Sequence, residues 1–207
     1  MENIVNHVDG SFKIYDLSKS VLTSLKQPLG TIIDFGARHG ESYETFSQFK
    51  PKRYLMVEPN QKCCDIIKKK KLNNVELVEG IICGDDATRD WDDLYTFEKD
   101  LDQSSNLFSD RQGQYGNFKK ERVPLIKASM LNCDEIDFCK INIESGEFDL
   151  IELPFFQQIK SFVMEAHNEL KSGFSYKDVI EKLKNDYIMT SYGSLSYKYC
   201  FIVGFRI

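Results

Sequence analysis

Residues 31–40 read Thr31-Ile32-Ile33-Asp34-Phe35-Gly36-Ala37-Arg38-His39-Gly40. A short apolar run with β-branched residues, closed by glycine, is the signature of a buried strand entering a tight turn. Glycine at a strand end lets backbone approach a ligand closely, because any Cβ would occupy that space. The spacing is G-x-x-x-G. The dinucleotide fingerprint is G-x-G-x-x-G, and Arg38 stands where its second glycine would be. Such a turn alone is common to α/β folds, so its meaning depends on its flanks.

Upstream, residues 12–27 carry Phe12, Tyr15, Leu17, Val21, Leu22 and Leu25, an imperfect helical stripe leading to Pro28. Downstream, a helix over 40–49 stops before Pro51, and Arg53–Glu58 reads as a second strand. A helix over 60–71 follows, and its last turn, Lys68-Lys69-Lys70-Lys71, suits the helix macrodipole. A third strand, Val75–Val78, continues toward Ile81-Ile82-Cys83. The theme then repeats: strand Phe138–Ile143, a short helix from 146, strand Ser161–Ala166, helix 175–185, and strands 187–192 and 199–205. Strands alternating with helices predict right-handed crossovers and a mainly parallel sheet. Gly193-Ser194 between the last two strands predicts an antiparallel pair at the C-terminal edge. The expected fold is α/β: a Rossmann-like, doubly wound sandwich forming one domain over 1–207. Residues 85–122 break the rhythm with ten acids, six bases and several aromatics, Tyr115 among them. A polar connection of this length, with Gly113 and Gly116 around Tyr115, is expected to be a covering lid or an insertion.

With 207 residues, one domain is the expectation. Hydrophobic residues make up 42% and charged residues 29%, which excludes a disordered, collagen-like or mucin-like chain. A net charge of −5 disfavours a wide phosphate-gripping face, so no nucleic-acid partner is expected. No apolar run is long enough to span a bilayer, and residues 1–6 lack the features of a secretion signal. The six cysteines form no C-x-x-C and no zinc-ligand spacing. Reduced thiols, a cytoplasmic location and no metal are the expectation.

Ligands of open α/β sheets sit beyond the carboxyl ends of the strands. There, Glu58 closes Val57-Glu58-Pro59-Asn60, 24 residues after Asp34. A carboxylate so placed can accept two hydrogen bonds from a ribose diol. In Phe138-Cys139-Lys140-Ile141-Asn142-Ile143-Glu144-Ser145-Gly146-Glu147, period two puts Lys140, Asn142 and Glu144 on one face. In Phe162-Val163-Met164-Glu165-Ala166-His167-Asn168, Glu165 and His167 share a face. Polar groups in a buried strand are paired or functional.

These three stretches together resemble the FkbM-type S-adenosylmethionine-dependent methyltransferases over residues 30–168. The resemblance implies a methyltransferase fold, S-adenosyl-L-methionine as cofactor, and O-methylation of a hydroxyl on a sugar, glycan or other small hydroxylated acceptor. It implies that Gly36, Ala37, Arg38, His39 and Gly40 border the methionine part, with Asn142 beside them. Glu58, with Pro59, would hold the ribose, and Ile82 and Cys83 would lie near the adenine. The family's fourth strand usually reads K-I-D-x-E-G, whereas this chain has Asn142 for the Asp and Ser145 for the Gly.

Methyl transfer mainly needs the acceptor oxygen held in line, and a base removing its proton adds about 10²–10⁴-fold. His167 is the expected base, since an ordinary imidazole titrates near about 6.5. Glu144 would orient it, bind acceptor hydroxyls or act as the base, and Asn142 would orient. Glu144, Glu147, Asn168 and Tyr115 are the candidates for holding the acceptor. Two other readings stay open: a cofactor-binding protein without turnover, motivated by Asn142, and a nicotinamide-dependent oxidoreductase, disfavoured by the missing glycines.

Overall fold

Successive residues of the inner strands face opposite sides of the sheet, and both sides are apolar. Ile33, Phe35, Leu55, Val57, Cys139 and Ile141 look toward one layer, and Ile32, Tyr54, Met56 and Phe138 toward the other. Strands covered on both faces therefore read as near-continuous apolar runs rather than as alternating ones. The computed structural model describes residues 6–8, 10–97, 118–144, 146–167, 175–193 and 199–207.

The elements, in chain order, are β1 (Asn6–Val8), α1 (Ile14–Ser24), β2 (Thr31–Phe35), α2 (Tyr43–Phe46), β3 (Arg53–Glu58), α3 (Gln61–Lys70), β4 (Val75–Glu79), β5 (Ile81–Cys83), β6 (Trp91–Phe97), β7 (Phe118–Lys127), β8 (Phe138–Ile141), α4 (Glu147–Leu150), β9 (Ser161–His167), α5 (Tyr176–Leu183), β10 (Tyr187–Tyr192) and β11 (Tyr199–Arg206). The main sheet runs β1-β10-β11-β9-β8-β2-β3-β4. From β9 to β4 every pairing is parallel, as the alternation predicts. β11 is antiparallel to both β9 and β10. The antiparallel strand is thus inserted between β9 and β10, and the outermost position goes to β1, which pairs parallel to β10. A strand of three residues gives too short a pattern to read from sequence.

One face of the sheet is covered by Phe148 and Leu150 of α4, Phe155 and Phe156 of a 3-10 turn, and Val179 and Leu183 of α5. Ile14, Val21 and Leu22 of α1, Phe46 of α2 and Ile67 of α3 cover the other. Asn60 starts α3 by accepting from the amides of Lys62 and Cys63. Lys71, in the left-handed conformation, ends it.

Two expected strands end differently. The third strand does not continue past Gly80, where φ is +158° and a Cβ would lie 2.6 Å from the Pro124 carbonyl oxygen. β5 instead leaves the main sheet and pairs with β7, which pairs antiparallel with β6. Within the 85–122 segment, Trp91–Phe97 and residues 118–122 are strand. Its polarity hid this, because only Leu94 and Val123 turn inward as buried aliphatics while Trp91 and Arg122 stack on the outside at 3.9 Å. Tyr115 and the glycines around it lie outside the described residues. Finally, β8 stops at Ile141, two residues early, because its neighbour β2 has already turned at Gly36.

The chain runs outward from β2 to β3 and β4, then returns to place β8 on the other side of β2. This reversal is where open α/β sheets hold their ligands.

Candidate active site

Gly36 and Asn142 meet at that reversal. The Asn142 amide donates to the Phe35 carbonyl at 3.1 Å, the last bond between β2 and β8. Gly36 has φ +76°, and a Cβ there would stand 1.9 Å from the Asn142 carbonyl oxygen. Only glycine fits, although the backbone it meets is that of the residue just after β8. Beneath the turn, Lys140 is wholly enclosed. Its Nζ lies 2.9 Å from Asp34 Oδ1 and donates to the Gly36 carbonyl at 2.7 Å. Ser42 donates to the other Asp34 oxygen and lies 2.7 Å from the Tyr54 hydroxyl. Burial works against the Lys140 charge, yet Asp34 outweighs it and the ammonium is held above its ordinary range.

Beyond these strand ends lies a cleft of about 950 Å³, counted to its solvent mouth. On one side, Gly36, Arg38, Glu58 and Pro59 form its wall, with Gly80, Ile81, Ile82 and Leu94 as an apolar flank. On the other stand Asn142, Ile143, Glu144 and Asp149. Glu58 is held by two amides: Arg38 N–H donates to Oε2 at 2.7 Å and Asn60 N–H to Oε1 at 2.9 Å. Burial pushes its carboxyl up to about 7 against the pull of those amides.

Of the residues expected to border a cofactor, Gly36, Arg38, Glu58, Pro59, Ile82 and Asn142 line this cleft; Ala37, His39, Gly40 and Cys83 do not. Ala37 is buried. Gly40 faces Leu72, Ile67 and Met56 on the helical side. His39 lies against Glu41, its carbonyl accepting from Lys70 at 2.7 Å.

A polar cluster closes the β8–β9 end. His167 Nδ1 lies 2.5 Å from Glu147 Oε1, which also accepts from the His167 amide at 3.1 Å. Its Nε2 lies 3.7 Å from both Glu144 Oε1 and Glu165 Oε1. Asn142 Nδ2 donates to Glu165 Oε2 at 2.9 Å. Burial opposes the imidazolium, but Glu147 above all, then Glu144 and Glu165, outweigh it and raise His167 to about 9. An imidazole of ordinary acidity, the ground on which His167 reads as a base from sequence, is therefore not what the fold provides. Glu147 is fully enclosed and touches His167 rather than open space. Glu144 sits in the left-handed region at φ +49°, so the period-two pattern does not reach it. Asn168 lies outside the described residues. Among the described residues, no group of three or more His, Cys, Asp and Glu side chains could hold a metal ion.

Leu94 and Asp149 escape a sequence reading. Leu94 is the one aliphatic residue of Trp91–Phe97, a faint signal; Asp149, on a one-turn helix, offers none.

The model of the FkbM methyltransferase domain matches residues 34–193. The chain belongs to the FkbM methyltransferase family. This FkbM-family protein is accordingly an S-adenosylmethionine-dependent methyltransferase. No curated protein matches it. Among solved structures, an rRNA methylase from Streptococcus thermophilus is similar at TM-score 0.57 and 8% identity, covering 95% of this chain and 98% of that one. A precorrin-6y C5,15-methyltransferase from Geobacter metallireducens gives TM-score 0.54 and 15% identity over 93% and 87%. A protein assigned as a methyltransferase from Streptococcus mutans, in complex with S-adenosylhomocysteine, gives 0.53 and 10% over 95% and 99%. These likenesses speak to the fold.

The cleft of the FkbM-family protein fits the cofactor. Glu58 uses one lone pair of each oxygen on an amide, and the remaining ones would be able to accept from a ribose diol. Gly80, Ile81, Ile82 and Leu94 offer an apolar wall for a flat base. Arg38, its guanidinium paired with Glu41 at 3.1 Å, lines the turn that would border the amino-acid part.

Proposed function

We propose that this methyltransferase methylates a hydroxyl of a sugar, glycan or other small hydroxylated acceptor. The observation that carries the reading is the cluster of His167, Glu144, Glu147 and Asn142, set across β2 from Glu58. A hydroxyl is a very weak acid, so its oxygen must be aligned and its proton accepted as the new bond forms. Alignment contributes several kcal/mol, and a positioned base about 10²–10⁴-fold. When bound, S-adenosylmethionine supplies the electrophilic methyl group. Glu144, reaching the cleft, binds acceptor hydroxyls and receives the proton. His167, fixed through Nδ1 by Glu147, keeps Nε2 toward Glu144 and steadies its charge. Asn142 orients the neighbouring carboxylate. An end rich in carboxylates repels a phosphate backbone and supports a small, uncharged acceptor. The six free thiols support a reducing compartment, the cytoplasm.

The test is incubation with S-adenosylmethionine and a panel of monosaccharides, deoxysugars and oligosaccharides, with RNA and small amines in parallel, read by mass. Methylation of a sugar is expected, and Glu144→Gln should slow it about 10²-fold while S-adenosylhomocysteine still binds. Methyl groups found only on RNA or amines would sink the reading.

A further inference from the structure

A second cavity lies away from the cofactor cleft, against the amino ends of β3 and β4. It holds about 750 Å³, counted to its solvent mouth. Tyr54, near the start of β3, and Tyr43 of α2 form its aromatic side, with rings parallel to within 4° and centroids 6.4 Å apart. Tyr54 is buried and its hydroxyl is engaged by Ser42, so it fixes the half-buried Tyr43 ring that stacks on it. Ser47 and Lys50 come from the turn after α2, and Asn73 and Asn74 from the turn before β4. Tyr54 and the cleft residue Glu58 stand four positions apart on one strand, a span of about 13 Å. The cavity is therefore separate from the cofactor cleft.

Among the described residues, the side chains of Ser47, Lys50, Asn73 and Asn74 make no hydrogen bond and no ion pair. On a convex surface such groups are simply solvated; here four of them surround one hollow beside an aromatic ring. The set is selective. No carboxylate lines the cavity, so a metal ion finds no anionic ligand there. Lys50 is the one cation of the lining, with no arginine to grip a phosphate through two bonds. Amides and a hydroxyl both donate and accept, as sugar hydroxyls do. The C–H face of a sugar ring is electropositive and packs on the negative face of an aromatic ring.

We propose that this cavity binds a saccharide ring, with Tyr43 against its C–H face and Ser47, Lys50, Asn73 and Asn74 on its hydroxyls. A glycan acceptor, the substrate proposed above, would be anchored here by a unit remote from its reacting hydroxyl. The binding itself does not depend on that reading.

An NMR titration of the isotope-labelled full chain, without cofactor, tests it with glucose, rhamnose, N-acetylglucosamine and their short oligosaccharides, and with inorganic phosphate and AMP alongside. A sugar is expected to bind, and Lys50→Gly/Asn73→Ala should weaken it about tenfold. Glycine suits the left-handed backbone at position 50, where φ is +48°, and Asn73 is exposed, so the variant keeps its fold. Its affinity for S-adenosylhomocysteine should stay within about twofold. No sugar bound by the unaltered chain overturns the proposal. Sugar binding that the variant leaves unchanged also overturns it, because the sugar then sits elsewhere. Phosphate or AMP bound in place of sugar, and lost in the variant, overturns the saccharide class. A sugar held at this cavity but never methylated upholds the proposal and counts against the acceptor reading alone.

Discussion

Glu58 illustrates how one side chain can be placed by sequence and tuned by structure. Its position at a strand end is legible in Val57-Glu58-Pro59-Asn60. Its acidity is not, because burial, which pushes the carboxyl to about 7, arises from segments remote in sequence. Below that value the group is largely protonated; above it, the carboxylate accepts from a ribose diol. Affinity for S-adenosylhomocysteine should therefore rise about tenfold as pH increases through about 7. Glu58→Gln should flatten the profile, and titration calorimetry at several pH values measures both. The stability sign is the opposite. The folded state holds its proton more tightly than the unfolded chain, so this group's favourable contribution fades as pH rises from about 4.5 to about 7.

Among the elements, α3 was readable in kind because its signals are local. Asn60 caps its first turn, and the lysines of its last turn complement its dipole. Asn60→Ala should lower stability by about 1 kcal/mol, seen as a lower urea midpoint with an unchanged slope. The β6–β7 pair was not readable, since its strands carry few buried apolar residues and are separated by residues 98–117. What makes them a sheet is register across that gap, with Leu94 and Val123 turned to the interior. The same holds for β8: alternation extended it to Ile143, and the end of the β2 ladder stopped it at Ile141.

Across the molecule, the reversal of strand order is secured by one buried ion pair. Asp34 of β2 and Lys140 of β8 come from opposite sides of a 106-residue separation and meet at 2.9 Å. Removing one partner strands the other's charge, so Lys140→Met should cost about 3–5 kcal/mol in urea unfolding. Asp34→Asn/Lys140→Met should recover part of that loss, since no bare charge remains. A double variant no more stable than the single one would assign the cost to the lost bond with the Gly36 carbonyl.

Local chemistry determined much of this protein. The strands of the parallel core, the glycine turn and the strand-end position of Glu58 follow from side-chain period and backbone freedom, which act over a few residues. The parallel sheet follows too, because alternating strands and helices leave few connections sterically open. The tertiary structure decided what depends on neighbours distant in the chain. It paired Trp91–Phe97 with Phe118–Lys127, ended β8 early, and set Ala37, His39, Gly40 and Cys83 off the cleft wall. It also gathered Glu144, Glu147 and Glu165 around His167 and so made that imidazole a cation. A pattern of residue types carries which groups are present; the field each one feels is set only when separate strands bring their charges within a few ångströms.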